Sequence, residues 1–358
     1  MNQKELIDFM GKEAPAHVFH SAAYYDTPDA PQMPLKGWRG ADLIFDIDAD
    51  HFDLPCQKHH DAWWCQDCDT RGKGHRPDQC PKCDSTRIQT LKWMCEECLS
   101  KSKEEAIKII ENFLVPDMGI SKKELIVVFS GHRGYHIHSY SSELHNLGSQ
   151  ERREIVDYLS GTGIDFRYQG FVENTYGVPK GPDGKSPGWE RKIATGIRHL
   201  FEHSSELGHI PGLRAKQIQL LQKDAKLISK QLSEHPARYI TPKGVGQKTW
   251  FTIAQYVVES SAAIVDEPVT TDIHRLIRLP GSLHGKTGFL VKHLNVSSLD
   301  KFDPFTDAQV FSGSITIHVI DAPGFTLNGE QYPPMRDIKK ELPLSAAMLL
   351  LCKGIAEL

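Results

Sequence analysis

Aspartates at every second position follow an apolar run early in the chain. The segment "DLIFDIDAD" (42–50) predicts a strand over 41–48 that ends in Asp46 and Asp48, with Asp50 two residues further on. Because side chains alternate faces along a strand, Asp46 and Asp48 share one face, and so does Asp50 if the strand extends that far. Neighbouring carboxylates then lie about 7 Å apart. Carboxylate oxygens suit Mg²⁺ or Mn²⁺, so the spacing predicts a site for one or two divalent cations.

An acidic strand face also occurs in proteins without a metal ion. A solvated edge strand carries charges that discourage pairing. The D-x-D pattern is also used by glycosyltransferases and phosphohydrolases, so by itself it is only moderately specific. Three acids with no lysine or arginine on the same face repel one another unless a cation lies there, and this favours the metal site.

A glycine-flanked turn follows the next predicted strand and carries side chains that suit a phosphate group. The segment "SGHRGYHIH" (130–138) contains Ser130, Arg133 and His136 between strands predicted at 124–130 and 135–140. Arginine offers a fork of donors to phosphate, and glycine allows the backbone to approach an anion closely. A hairpin turn with exposed polar residues would account for the segment equally well on its own.

A second basic turn lies near the end of the chain, in "GSLHGKTG" (281–288). It is not a P-loop, because only three residues separate its first two glycines and a strand follows it instead of a helix. His284 and Lys286 are two residues apart and share a face on an extended segment. An ordinary polar turn is an equal alternative. Upstream, "VDEPVTTDIHR" supplies two further aspartates, Asp266 and Asp272. One acidic cluster and two basic turns together predict nucleoside-triphosphate chemistry assisted by two metal ions.

Seven of the eight cysteines fall between Cys56 and Cys98, and they include three C-x-x-C pairs. In a chain without an export signal, this spacing indicates zinc rather than disulfides. Two of the pairs, separated by a glycine-containing spacer, predict a complete four-sulfur zinc ribbon: Cys65, Cys68, Cys80 and Cys83.

Composition sets broad limits on the class of protein. The 358 residues include 42 Lys and Arg against 46 Asp and Glu, a net charge of −4. This balance argues against a generally basic nucleic-acid coat but allows a local basic groove. The N-terminus lacks an apolar stretch of signal-peptide length, and the late run "AAMLLLC" is too short to span a membrane. We therefore expect a cytoplasmic protein.

Strand and helix patterns alternate without a regular βαβ rhythm, which predicts a mixed α/β or α+β fold. Helical periodicity appears in several segments, and the Gly- and Pro-rich stretch at 176–189 predicts a loop. The predicted helices cover 103–115, 150–160, 213–233, 249–264 and the last sixteen residues, starting at Pro343.

The segments "FDIDAD", "SGHRGYHIH" and "RLIRLPGSLHGKTG", in this order, resemble the catalytic small subunit of the archaeal and eukaryotic DNA primases. The resemblance spans about residues 40 to 295, and the three motifs together are highly specific. The Cys-rich segment with "CEECL" is similar to the archaeal branch. The resemblance implies the primase catalytic fold: one catalytic domain over 1–358, a zinc-binding insertion at 55–98 and a helical subdomain inserted near 150–250.

The resemblance also implies roles for single residues. Asp46 and Asp48 match the metal-binding pair of the first motif. Asp266 lies eighteen residues before His284 and matches the last metal-binding acid, with Asp272 as the nearby alternative. The positions that match contacts to the nucleotide triphosphate are Ser130, Arg133, His136, His284 and Lys286.

Three of the seven clustered cysteines lie outside the ribbon and still need a fourth ligand. The family's zinc knuckle pairs an early Cys and a Cys or His with a later C-x-x-C, which implies Cys56, His60, Cys95 and Cys98, with His59 as the alternative to His60. We therefore expect two structural zinc ions. Metal analysis giving one zinc per chain would remove this two-site prediction.

The function implied is that of a nucleotidyltransferase of the primosome. It would act as a DNA-directed RNA polymerase that makes short RNA primers for DNA replication from NTPs, or dNTPs, on single-stranded DNA, using Mg²⁺ or Mn²⁺. The implied partner is a large primase subunit in a heterodimer, and no membrane is involved. The main alternative is a repair or translesion polymerase of the same superfamily that extends existing ends. A non-catalytic zinc-ribbon subunit is an alternative from another class, and it predicts that Asp46→Ala leaves activity intact.

Overall fold

The chain forms short strands and medium-length helices in a mixed α/β arrangement. The computed structural model describes residues 2–171, 180–239 and 242–358. Its strands, in chain order, are β1 Phe19–Ser21, β2 Ala23–Tyr25, β3 Trp38–Ala41, β4 Leu43–Asp48, β5 Ala62–Cys65, β6 Arg71–Lys73, β7 Ile88–Leu91, β8 Leu125–Phe129, β9 Gly134–Ser139, β10 Leu276–Arg278, β11 Lys292–Asn295, β12 Ser314–Ala322, β13 Phe325–Leu327, β14 Glu330–Tyr332, β15 Met335–Pro343 and β16 Ala356–Glu357.

The α-helices range from single turns to fifteen residues. None of those described is both long and apolar enough to cross a membrane. In chain order they are α1 Gln3–Glu13, α2 Gln57–His60, α3 Glu96–Ile109, α4 Ser149–Ser160, α5 Gly188–Glu202, α6 Ala215–Lys223, α7 Ala225–Leu232, α8 Gln247–Ser261, α9 Glu267–Thr271, α10 Pro304–Asp307 and α11 Leu344–Cys352.

The chain divides into two units. The first comprises Met1–Ile107, Ile120–Arg153 and Val265–Leu358, and the second comprises Lys108–Gly119 and Glu154–Ile264. The second unit is mainly helical. Its helices α5 and α8 pack closely at Gly196, where a Cβ atom would lie 2.3 Å from a methyl carbon of Val257. Glycine at this position therefore sets the distance between the two helices.

The acidic strand β4 lies at one edge of a four-stranded antiparallel sheet in the first unit, in the order β11, β8, β9, β4. Phe45 and Ile47 are buried, and the intervening Asp46 is half-buried like Asp48. The register sets Asp46 opposite His136 and Asp48 opposite Gly134 on β9. The strand pairing thus brings the acidic motif and the first basic turn side by side, although about ninety residues separate them in sequence.

Three predicted helices differ from the structure. The helix predicted at 103–115 already begins at Glu96, and its α-helical part ends at Ile109. The helix predicted at 213–233 is two helices, α6 and α7, which meet at Asp224; an aspartate side chain competes for backbone hydrogen bonds and is a poor helix former. The terminal helix ends at Cys352, after which β16 pairs with β12. The loop predicted at 176–189 lies partly in 172–179, outside the described residues.

Candidate active site

Three aspartates lie near the end of β4, and we call Asp46, Asp48 and Asp266 the acidic trio. The backbone amide of Asp266, just before α9, donates a 3.0 Å hydrogen bond to the carbonyl of Asp46. Burial raises the pKa of Asp46 to about 7, and the charges of Asp48 and Asp266 add to this effect. Burial also raises the pKa of Asp48, against the opposing charge of Arg133. Crowded carboxylates of this kind carry negative charge that a divalent cation would compensate.

The alternative acid, Asp272, lies at the opposite end of α9. Its carboxylate accepts a 2.9 Å hydrogen bond from the backbone amide of His274, so it caps the following turn. Asp272 is exposed, whereas Asp266 is partly buried. His51, which follows β4, lies with its Nε2 atom 4.0 Å from Asp266. The structure therefore brings Asp266, and not Asp272, to the backbone of the acidic strand.

Asp50 does not continue the acidic row. The strand ends at Asp48, and Asp50 lies in the 3₁₀ turn that follows, where its amide donates a 2.9 Å hydrogen bond to the Asp48 carboxylate. The Asp50 carboxylate forms ion pairs with Lys92 and Arg133. The Asp50 charge is thus compensated by two ion pairs, whereas burial outweighs the nearby positive charges at Asp46 and Asp48 and raises the pKa of both.

The two basic turns pack directly against each other. The hydroxyl of Thr287 donates a 2.6 Å hydrogen bond to the carbonyl of Gly131, and the rings of His132 and His284 stack 5.2 Å apart. Gly131 has φ +82°, and a Cβ atom there would lie 2.6 Å from the Cβ of His284. Only glycine satisfies both conditions without a shift of the backbone. Glycine in the first turn therefore allows the second turn to approach.

Histidines in this region are held in their neutral form. Burial, helped by the charge of Arg278, lowers the pKa of His136 to about 4 and that of His284 to about 2. The Nε2 atom of His136 lies 3.5 Å from the carboxylate of Asp46, while its Nδ1 is buried without a hydrogen-bond partner among the described residues. Lys286, in contrast, is exposed. Ser130 is buried at the end of β8, and its hydroxyl accepts a 3.4 Å hydrogen bond from the amide of His132.

Arg133 is buried, whereas a side chain that binds phosphate directly would be accessible. Its side chain is only 1% exposed. One terminal nitrogen donates to both carboxylate oxygens of Asp61, at 2.9 and 3.1 Å, and to the carbonyl of Trp93. The other pairs with Asp50. The guanidinium thus has protein partners on two sides, and only its Nε remains without one.

Two cations near the turns were not predicted from the sequence. Arg278 ends β10 and contacts His17, with 2.8 Å between the guanidinium and the ring Nδ1. Lys353, just after α11, places its Nζ 2.8 Å from Nε2 of His132. Arg278 lies in the segment "RLIRLPG", so a basic residue near the second turn could have been predicted from the sequence. Lys353 lies in a terminal segment without a recognisable motif, so nothing in the sequence indicates its position.

Comparison with known proteins identifies the family. A family model described as the DNA primase small subunit matches residues 83–296. The DNA primase small subunit PriS of Methanothrix thermoacetophila is 37% identical over 377 residues, covering 99% of this chain and 87% of that protein. PriS of Methanocella arvoryzae is 36% identical, covering 99% and 86%, and PriS of Cenarchaeum symbiosum is 31% identical, covering 98% and 85%. The chain belongs to the DNA primase small-subunit family.

The predicted family and enzyme class are therefore confirmed. The chain is a DNA primase catalytic subunit, a nucleotidyltransferase that acts in replication, with archaeal relatives. The prediction of a mixed α/β chain is confirmed as well. The roles of single residues stay predictions.

The first cysteine cluster of this primase chain joins residues from both ends of the Cys-rich segment. Ligand atoms of Cys56, His60, Cys95 and Cys98 all lie within 4.8 Å of one another. The sulfurs of Cys56 and Cys98 are 3.5 Å apart, and Nε2 of His60 lies 3.4 Å from Cys98. Sulfurs bound to one tetrahedral zinc are about 3.8 Å apart, so the cluster fits a zinc ion. His60, rather than His59, is the histidine in the cluster.

The second cluster consists of Cys65, Cys68, Cys80 and Cys83, again within 4.8 Å of one another. It belongs to the small sheet of β6, β5 and β7. Each C-x-x-C pair is followed by an aspartate in the left-handed region, Asp69 and Asp84, with φ of +51° and +57°. The two halves of the cluster are thus similar knuckles, and both clusters could bind zinc.

Proposed function

We propose that this chain synthesises short RNA primers on single-stranded DNA by two-metal nucleotidyl transfer. One observation carries the proposal: the partly buried carboxylates of the acidic trio lie beside two basic turns that pack against each other. Carboxylate oxygens suit the divalent ions of a nucleoside triphosphate, and the cationic side chains and neutral imidazoles beside them suit its phosphate groups. The family membership agrees with this chemistry.

Residues of the acidic trio fit Mg²⁺ or Mn²⁺. They offer only carboxylate oxygens. The raised pKa of Asp46 means that burial and the neighbouring carboxylates disfavour its negatively charged form. We propose that Asp46 and Asp48 hold both cations and that Asp266 completes the site of one. When bound, such ions lower the pKa of a 3′-hydroxyl and offset charge on the triphosphate.

The basic turns would bind and orient the triphosphate. Lys286 and Arg278 supply positive charge, while His136 and His284, neutral before the nucleotide arrives, can each donate an N–H to a phosphate oxygen. Ser130 adds a hydroxyl donor. These groups would hold the α-phosphate in line with the attacking hydroxyl and stabilise the charge on the departing pyrophosphate.

Arg133 would act differently from the open basic side chains. Because its donors go to Asp61, Asp50 and the carbonyl of Trp93, direct phosphate binding would require one partner to be exchanged. We propose that Arg133 acts on the nucleotide mainly through its positive charge and by fixing the turn, and that a direct contact forms only with nucleotide bound.

The finer architecture is proposed on the same grounds. The chain would adopt the primase catalytic fold, with residues 55–98 as a zinc-binding insertion and the helices near 150–250 as an inserted subdomain. The thiolate clusters support two structural zinc ions. A large primase subunit in a heterodimer, single-stranded DNA and NTPs or dNTPs are the proposed partners, in the cytoplasm.

Primer synthesis from NTPs on unprimed single-stranded DNA tests the proposal. The full chain, supplied with Mn²⁺, is expected to form new RNA chains of discrete short lengths, resolved on a sequencing gel with a labelled NTP. A matched reaction contains an annealed oligonucleotide with a free 3′ end. Extension of that end without any product on the unprimed template would favour the repair or translesion polymerase and overturn the primer-synthesis proposal.

A further inference from the structure

The C-terminal end of α5, in the second unit, carries three side chains with the donor chemistry of a transition-metal site. His199 lies in the last turn of the helix, His203 caps it, and Glu206 lies in the 3₁₀ helix Ser204–His209 that follows. Ligand atoms of all three lie within 4.8 Å of one another. The two imidazole rings are 4.3 Å apart, and Nδ1 of His199 is 4.0 Å from the Glu206 carboxylate.

Backbone hydrogen bonds hold these three residues in place. The amide of His203 donates to the carbonyl of His199 at 2.9 Å, and the amide of Glu206 donates to the carbonyl of His203 at 2.9 Å. The ring Nδ1 of His203 lies 3.1 Å from the His199 carbonyl, a contact that fixes the ring and leaves Nε2 free to bind an ion. Phe201 and Leu207, which are buried, anchor this end of the helix.

The electrostatic setting favours a cation. The C-terminal end of an α-helix carries a partial negative charge, and Glu206 adds a full one. The nearby Arg198 is paired with Glu202 at 3.6 Å, one turn apart on α5, so that acid is already compensated. Both imidazoles and Glu206 remain at least partly exposed, so an ion can reach them and keep water ligands.

We propose that His199, His203 and Glu206 form a third metal site, distinct in chemistry from the two thiolate clusters and from the acidic trio. Two imidazoles and one carboxylate select a borderline divalent transition ion such as Zn²⁺, Ni²⁺, Co²⁺ or Cu²⁺ over Mg²⁺, which prefers oxygen. A bound ion would tie the end of α5 to the 3₁₀ helix after it. A bound ion would also raise the metal content per chain that elemental analysis measures.

Titration with Ni²⁺ alone tests the site on the zinc-loaded full chain without an affinity tag. In buffer with excess Mg²⁺, which occupies the carboxylates of the acidic trio, isothermal calorimetry is expected to show one saturable Ni²⁺ equivalent per chain, while a chromophoric chelator reports no release of zinc from the cysteines. In His203→Gln, the dissociation constant should rise at least about tenfold, because one imidazole ligand is lost. Glu206→Gln should raise it less, because two imidazoles remain.

His209→Gln is the matched control, since His209 is an exposed histidine of the same 3₁₀ helix outside the cluster. It should bind Ni²⁺ like the wild type. The proposal is overturned if the wild type takes up no additional equivalent, if His203→Gln binds as tightly as the wild type, or if His209→Gln weakens binding to the same extent. Circular dichroism of each variant without Ni²⁺ shows whether the helices are intact.

Discussion

At the scale of single residues, the aspartates after β4 differ in what compensates their charge. Asp50 has Lys92 and Arg133 as partners, so its negative charge is neutralised within the protein. Asp46 forms no such pair with a described lysine or arginine, and burial, with the charges of Asp48 and Asp266, raises its pKa to about 7. Residues with identical side chains, four positions apart, therefore differ in environment: one is held in a turn by ion pairs, and the other is the one that we propose binds a cation.

The first residue-scale prediction separates the two candidate acids on either side of α9. Asp266→Asn should reduce primer synthesis by at least about 100-fold, because it removes a carboxylate from the proposed metal site. Asp272→Asn should keep activity within about threefold of the wild type, since it alters only a cap on an exposed turn. Initial rates at saturating Mn²⁺ measure both. A larger loss in Asp272→Asn than in Asp266→Asn would contradict the assignment.

The second residue-scale prediction concerns how the stability of the protein depends on pH. Asp46 has a folded-state pKa of about 7 without metal, above its unfolded value near 4. Its contribution to stability is therefore fully present below about pH 4 and is lost as pH rises through 7. We expect Asp46→Asn, which cannot ionise, to gain stability relative to the metal-free wild type between pH 5 and 8. Urea unfolding in buffer free of divalent ions measures the difference.

Added Mn²⁺ provides the control for this pH effect. At pH 8 it should raise the unfolding midpoint of the wild type and leave that of Asp46→Asn nearly unchanged, because binding to the folded state stabilises it. A difference between the two proteins that stays constant from pH 5 to 8 would show that Asp46 does not titrate in this range.

At the scale of elements, one carboxylate connects the His60 cysteine cluster to the first basic turn. Asp61 follows α2, and its oxygens accept from Arg133 in the turn, from the amide of Trp93 and from the ring Nδ1 of His60. A hydrogen bond of this kind orients a ligand histidine and fixes which ring nitrogen faces a metal. The Cys-rich segment and the first basic turn thus share a buried polar network.

Asp61→Asn tests this connection. The side chains of Arg133 and Asp61 are 1% and 11% exposed, and removing one charge from such a buried pair costs roughly 3 kcal/mol of unfolding free energy. The variant should also lose zinc faster to a chromophoric chelator. Asp53→Asn is the control: Asp53 is 77% exposed and forms only surface pairs, so it should change stability by less than about 0.5 kcal/mol. Equal changes in unfolding free energy and in the rate of zinc loss for the two variants would contradict a network through Asp61.

The sequence predicted those elements whose signals are local. The apolar runs of β4 and β8 and the glycines between β8 and β9 were enough to place the acidic strand and the basic turn. Sequence could not show that Arg133 is buried against Asp61, because the partners are 72 residues apart and meet only through tertiary structure. The long β12–β15 pair was missed, since most residues of β15 are polar and exposed and lack a clear apolar alternation.

At the scale of the whole molecule, the C-terminal segment, which belongs to the first unit, contacts the first basic turn. Lys353 follows α11 and donates a 2.6 Å hydrogen bond to the carbonyl of Lys92, and its Nζ lies next to His132 of the first basic turn. Burial, with the charge of Arg133, lowers the pKa of Lys353 to about 7. A phosphate group arriving nearby would favour its protonated form.

Lys353→Met should therefore weaken nucleotide binding. Loss of one charge-assisted hydrogen bond corresponds to a rise in KM for the NTP of about tenfold, with a smaller change in kcat. Lys339→Met, which alters an exposed lysine on β15, should leave both constants unchanged. The KM is measured from initial rates of dinucleotide formation. An unaltered KM in Lys353→Met would remove this lysine from the nucleotide site.

The most direct test of two-metal primer synthesis compares the wild type with Asp48→Ala on unprimed single-stranded DNA, with NTPs, in the presence and absence of Mn²⁺. We predict short RNA products from the wild type only with the divalent ion, none from Asp48→Ala in either case, and wild-type activity from the exposed control Asp53→Ala. Primer synthesis by Asp48→Ala within tenfold of the wild type would contradict two-metal catalysis at this site, because the acidic trio would then not hold the catalytic ions.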